Sequence, residues 1–214
     1  MAVEIQGKVG PIVAADSTLN DPRLGRDGAS VVTDLHGARY EQASRGKVFH
    51  ASTAAAGIAP GTVLAAAGAL LLANPAASGF NVAILKLVFG YVSGTLGVGH
   101  LWWVQGANPA ALPAETTAAT RSSGLISPAA SGDVAKAFSG VSLTTVPTVL
   151  RPTAISLDPY AGTAAPLTLQ PMQVEDVNGS IVIPPGFFAG VEGIAAAGTS
   201  PLVLLAFEYE IVPQ

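Results

Sequence analysis

The residues able to do chemistry in this 214-residue chain are few and scattered. Three histidines, His36, His50 and His100, stand far apart, and none lies at ligand spacing to another histidine or to a carboxylate. Glu208 and Glu210 are two apart, which places both on one face of a strand and makes them the nearest thing to an acid/base pair. No apolar neighbourhood is evident that would raise the pKa of one of them, so a solvated strand end accounts for both. Gly94-x-x-Gly97-x-Gly99 lacks the glycine order of a dinucleotide-binding turn and opens no helix; it reads as a glycine turn. There is no G-x-S-x-G elbow. Glu175-Asp176 reads as turn chemistry ahead of Asn178-Gly179, and Asn178-Gly179-Ser180 fits a glycosylation acceptor with no secretory signal to give it weight. No cysteine is present, which excludes disulfides, thiolate metal sites and a cysteine nucleophile. The expectation is a protein that is not an enzyme, with no catalytic, cofactor-binding or metal-binding residues and no cofactor. Trp102-Trp103 is the remaining conspicuous pair: one ring faces the core, and the other is either second-layer core or an interface anchor.

The elements that carry these residues read as strands. The clearest lie in the C-terminal stretch. Ile181-Val182-Ile183 stops at Pro184-Pro185-Gly186, because neither proline can donate a ladder hydrogen bond. Residues 187–194 follow, a second turn falls at residues 197–201, and residues 202–212 form a long closing strand. In it Val203, Leu205, Phe207, Tyr209 and Ile211 share a buried face, while the opposite face runs from Leu202 and Leu204 to Glu208 and Glu210. That pattern is an antiparallel, half-solvated strand.

Upstream, residues 46–53 look like the first strand of this body. Residues 62–73 read as two short strands broken near Gly68, and residues 80–92 as a central strand covered on both sides. Lys86 is the exception there and should snorkel or find a carboxylate. Residues 93–97 then turn the chain into residues 98–105 as a hairpin, with His100 and Trp102 on one face and Leu101 and Trp103 on the other. Residues 106–147 are long, low-charge loops with helical turns expected only at 134–138. Strands over 146–155 and 166–174 precede a tight Asn178-Gly179 turn. Eight or more strands between Gly/Pro turns indicate an all-β, antiparallel β-sandwich or jelly roll.

Charged residues make up only 11% of the chain and hydrophobic ones 50%, so part of the surface is expected to be hidden against other subunits. Charge is unevenly placed: residues 1–50 hold six basic and six acidic groups, leaving four basic and eight acidic for the rest. Residues 1–29 carry no periodicity, and read either as a disordered tail or as an arm that orders on a neighbour. Residues 30–33 make a short strand; residues 40–45 are a strand or a helical turn. The resulting organisation is an extended N-terminal arm over 1–45 and a β domain over 46–214. A net charge of −4 argues against nucleic acid as the partner. Met1-Ala2-Val3-Glu4 shows no secretory signal, and no stretch is long and apolar enough for a membrane helix, so no membrane partner is expected.

Taken in order, several stretches resemble a family of tailed-bacteriophage virion proteins. They are Arg23-Leu24-Gly25-Arg26-Asp27-Gly28; Asp34-Leu35-His36-Gly37-Ala38-Arg39-Tyr40-Glu41 with Arg45-Gly46; and Ser52-Thr53-Ala54-Ala55-Ala56-Gly57. Further on come Ile84-Leu85-Lys86 with Gly90-Tyr91-Val92-Ser93-Gly94-Thr95-Leu96-Gly97, and Thr148-Val149-Leu150-Arg151-Pro152. Asp176-Val177-Asn178-Gly179-Ser180, Ile183-Pro184-Pro185-Gly186 and Ala195-Ala196-Ala197-Gly198-Thr199-Ser200-Pro201-Leu202 complete the series. The resemblance implies a jelly-roll-like subunit, a homotrimer, that decorates or cements the exterior of an icosahedral head after synthesis in the host cytoplasm. Its partners would be the major capsid protein and itself. Arg23, Arg26, Arg39 and Arg45 are the candidate capsid contacts, and Trp102, Trp103, Phe187 and Phe188 the candidate trimer contacts. The alternative is a tail or head-fibre receptor-binding protein on the same β-sandwich, with the 106–140 loops as its ligand surface. A carbohydrate-active enzyme would need a cleft with paired acids.

Overall fold

The computed structural model describes residues 37–64, 68–96, 99–108, 119–125, 132–140, 146–157, 160–161, 172–195 and 199–214. The chain divides into two compact units, Met1–Glu41 and Gln42–Gln214. A single helical turn, α1 (Tyr40–Ser44), settles the local alternative left open by the sequence. The expected N-terminal extended run and the strand at 30–33 lie outside the described residues.

Among the described residues of the second unit the regular structure is almost all strand. In chain order these are β1 (Val48–Thr53), β2 (Leu70–Ala73), β3 (Phe80–Ser93), β4 (Thr95–Leu96), β5 (Gly99–Ala107) and β6 (Ala119–Ser123). Then follow β7 (Lys136–Phe138), β8 (Thr148–Leu157), β9 (Tyr160–Ala161), β10 (Gln173–Ile183), β11 (Phe187–Ala195) and β12 (Leu202–Pro213). Two five-stranded antiparallel sheets, in the orders β10-β3-β12-β1-β6 and β7-β2-β11-β5-β8, pack as a sandwich, and β4 and β9 form a small ribbon. The pairing has a simple rule. The first strand pairs with the last, the second with the second-last, and so inward through β3 with β10, β4 with β9 and β5 with β8. This is the pattern of one long antiparallel hairpin rolled up on itself. Only its tip, β6 and β7, shares no ladder among the described residues.

Strict alternation sets which side chains fill the sandwich. On β12 the expected inward set Val203, Leu205, Phe207, Tyr209 and Ile211 is buried throughout. Trp103 stacks on Phe207 with centroids 5.5 Å apart, and Phe49 on Tyr209 at 5.9 Å, so each aromatic pair joins two strands. Gly94 makes the sharp exit from β3 possible: its φ is +86°, and a Cβ there would fall 2.1 Å from the Ser200 carbonyl oxygen.

Several expectations are corrected. Residues 62–64 are not strand, so the described part of 62–73 holds one strand, β2. β3 and β5 are not a hairpin: they lie in different sheets, because the turn between them carries the chain across the sandwich. β3 is interior to its sheet, flanked by β10 and β12, but only one of its faces meets the core; Lys86, Val88 and Gly90 on the other are partly exposed. Asn178 and Gly179, with φ of 51° and 76°, do not end a strand. They form a bulge inside β10, where residues 177–180 stand opposite Leu85 alone. Residues 136–138, expected as helical, are strand β7, since pairing with β2 outweighs local helix preference.

Candidate functional site

Two buried carboxylates close the two open sides of the sandwich. On one side, the edge strands β10 and β8 approach, and Glu175 of β10, only 6% exposed, faces inward. Its Oε1 accepts from Trp103 Nε1 at 3.1 Å and pairs with Arg151 Nη1 at 2.8 Å; its Oε2 accepts from the Ala154 amide at 2.9 Å. One side chain thus ties β10 to β5 and β8 of the opposite sheet. On the other side Asp133, just before β7, pairs with Arg121 of β6 and accepts from Tyr209 Oη at 2.9 Å and from the Ala135 amide at 3.0 Å. Burial, and then the neighbouring Asp133 carboxylate, push the Tyr209 phenol well above its usual range, so it stays a donor. A third interior pin is Asn74, fully buried, whose Nδ2 donates to the carbonyls of Phe80 at 2.8 Å and Ile183 at 2.9 Å. It joins the end of β2 in one sheet to the start of β3 and the end of β10 in the other. All three groups are used in holding the sheets together.

The outward face of the β10-β3-β12-β1-β6 sheet is different in character. Register places two neighbouring rows across it. One reads Val174, Val88, Ala206, Ser52; the next reads Asp176, Lys86, Glu208, His50, Ser122. Lys86 meets Asp176 at 3.7 Å, the carboxylate partner that its position in an apolar strand required. Beside the apolar row lies a trough of about 480 Å³, floored by Ala54, Ala55, Gly90 and Ala206 and walled by Met172 and Leu204. Val174 of β10 is 53% exposed and Met172, just before β10, 70%, so two apolar side chains stand open together at this edge of the face. A second, smaller hollow of about 310 Å³ near Phe187 includes Leu150 and Val182, all three substantially exposed.

The sequence-expected site residues are distributed as follows. Arg23 and Arg26 lie outside the described residues, as does His36. Arg39 and Arg45 flank α1, and Arg45 is exposed. Of the trimer candidates, Trp103 and Phe188 are corrected: both are buried inside this unit, Trp103 completely, so neither offers a surface for another subunit. Phe188 belongs to a smaller apolar cluster with Leu71, Ala73, Val104 and Phe138. Trp102 is partly exposed and Phe187 is 47% exposed; they remain available. Glu208 stands between Lys86 and His50 rather than in a cleft. His50 and His100 lie in different sheets, and among the described residues no group of three or more histidines and carboxylates is arranged to hold a metal. No described helix is long and apolar enough to cross a membrane. The interior roles of Glu175, Asp133, Arg121 and Asn74 were missed in the sequence, where each falls at a turn or in a loop-like run.

Compared with protein-family models, with curated proteins and with solved structures, the chain matches none.

Proposed function

We propose that this chain is a non-enzymatic structural protein of a tailed-bacteriophage virion, a capsid cement or decoration protein that binds the assembled head as a homotrimer. The observation that carries the reading is the outward sheet face, where an apolar row and trough lie beside a row of alternating charge. Such a face suits burial against another protein, with the charged row fixing register. The rolled-hairpin pairing supports a jelly-roll body, and the sequence resemblance supports the virion setting. The Glu175 and Asp133 carboxylates support a load-resisting rather than a reacting role for themselves, since both are committed to bonds that hold the sandwich closed.

The mechanism is mass action. A subunit that binds the closed head lattice, and not the separated capsid proteins, stabilises that lattice by its binding free energy. Residues 1–45 reach the major capsid protein, with Arg23, Arg26, Arg39 and Arg45 as charged anchors. Trp102, Phe187 and the apolar row serve subunit contact. The test is to add the purified protein to heads that lack it and follow head opening on heating. Bound protein should raise the opening temperature, and a variant without residues 1–29 should keep its fold and its self-association yet fail to bind. Heads that neither bind the intact protein nor gain stability would overturn the reading.

A further inference from the structure

We infer that β6 and β7 form a flap at the tip of the rolled hairpin, held shut by Asp133, which opens as a unit while the rest of the sandwich stays folded. Among the described residues every other nested strand pair is joined by a backbone ladder, whereas β6 and β7 sit in opposite sheets, and Arg121 of β6 pairs with Asp133 just before β7. Both are short, five and three residues, and each is an edge strand. The opposite side of the sandwich is built to stay closed. Its edge strands β10 and β8 run 11 and 10 residues, and each is blunted as an edge, β10 by the Asn178-Gly179 bulge and β8 by Pro152, which has no amide to offer.

At the tip, one carboxylate gathers the whole closure. Asp133 holds Arg121 of β6, the Tyr209 hydroxyl of the central strand β12, and the Ala135 amide that leads into β7. Losing this one group releases both short strands together. Opening uncovers the outer hydrogen-bonding edges of β1 and β2, which β6 and β7 otherwise cover. Free edges of that kind accept an incoming strand.

Native-state hydrogen exchange on the intact protein tests this. In the wild type, amides of β6 and β7 should exchange at least about ten-fold faster than those of β3 and β12, and Asp133→Ala should speed the two short strands by about a further ten-fold. Glu175→Ala, at the other side, should leave β6 and β7 at their wild-type rates. Wild-type protection of β6 and β7 equal to that of β3 and β12 overturns the inference, whether or not the variants fold. Acceleration of β6 and β7 by Glu175→Ala to match that of β3 and β12 overturns it too.

Discussion

Trp103 and Glu175 meet across the interior of the sandwich, the indole Nε1 donating to the carboxylate at 3.1 Å. The contact joins a tryptophan with no exposed surface to an acid that is nearly as buried, and each explains the other. A buried indole needs an acceptor, and a buried carboxylate needs donors; Arg151 and the Ala154 amide supply the rest. Glu175→Ala leaves the indole and an amide without their acceptor and should cost about 2–4 kcal/mol in urea unfolding. Arg151 is 41% exposed and can turn to water, so Arg151→Met should cost less than Glu175→Ala. The reverse order would show that the ion pair, not the indole bond, carries the link.

Tyr209 makes stability depend on alkaline pH. Its phenol is held protonated in the folded chain, while in the unfolded chain it ionises near its ordinary value of about 10. A folded pKa raised above the unfolded one gives a contribution fully present below about pH 10 that falls away as pH rises beyond it. Denaturant midpoints measured from pH 8 to 11 should therefore drop at the upper end, and Tyr209→Phe should flatten that part of the decline.

Gly190 on β11 has no space for a side chain. A Cβ there would stand 2.3 Å from Leu71 Cδ2 and 2.5 Å from the Leu70 carbonyl oxygen. The second of these is backbone and cannot rotate away. Gly190→Ala should destabilise by about 1–3 kcal/mol through overpacking, read as a lower thermal midpoint. An unchanged midpoint would mean that β2 and β11 can separate locally at little cost.

Leu204 on the outward face should matter for association and not for folding. Leu204→Lys adds a charge beside the apolar trough and should change unfolding stability by less than about 0.5 kcal/mol. Sedimentation should then show self-association weakened at least about ten-fold. Unaltered association would remove this face from the subunit contacts and leave the surface around Phe187 and Trp102.

How much was legible follows from which physical signal each element carries. β12 was readable residue by residue because alternation is a local consequence of strand geometry; the same period puts Trp102 and Trp103 on opposite faces, and only the fold decides that Trp103 is the inward one. The Asn178-Gly179 pair correctly marks positive φ, but that chemistry serves a bulge as well as a turn, and only the partner strand decides which. Likewise, the Gly94 turn announces a reversal without saying which sheet receives the chain. Lys86 announced its need for a carboxylate; that the partner is Asp176 depends on register. Glu175 and Asp133 were unreadable because nothing beside them in sequence reveals that Trp103 and Tyr209 lie across the core. Phe187 and Phe188 look alike in the sequence, yet Phe187 is exposed and Phe188 buried, because the two faces of a strand differ by one residue.

The virion reading is tested most directly by cryo-electron microscopy of the purified particle that carries this chain. The account predicts its density as trimeric knobs on the outside of the head lattice, with residues 1–45 reaching the major capsid protein and the face bearing Val174, Met172 and Leu204 buried between subunits. Density confined to the tail or the portal vertex, or absent from the particle, would contradict it.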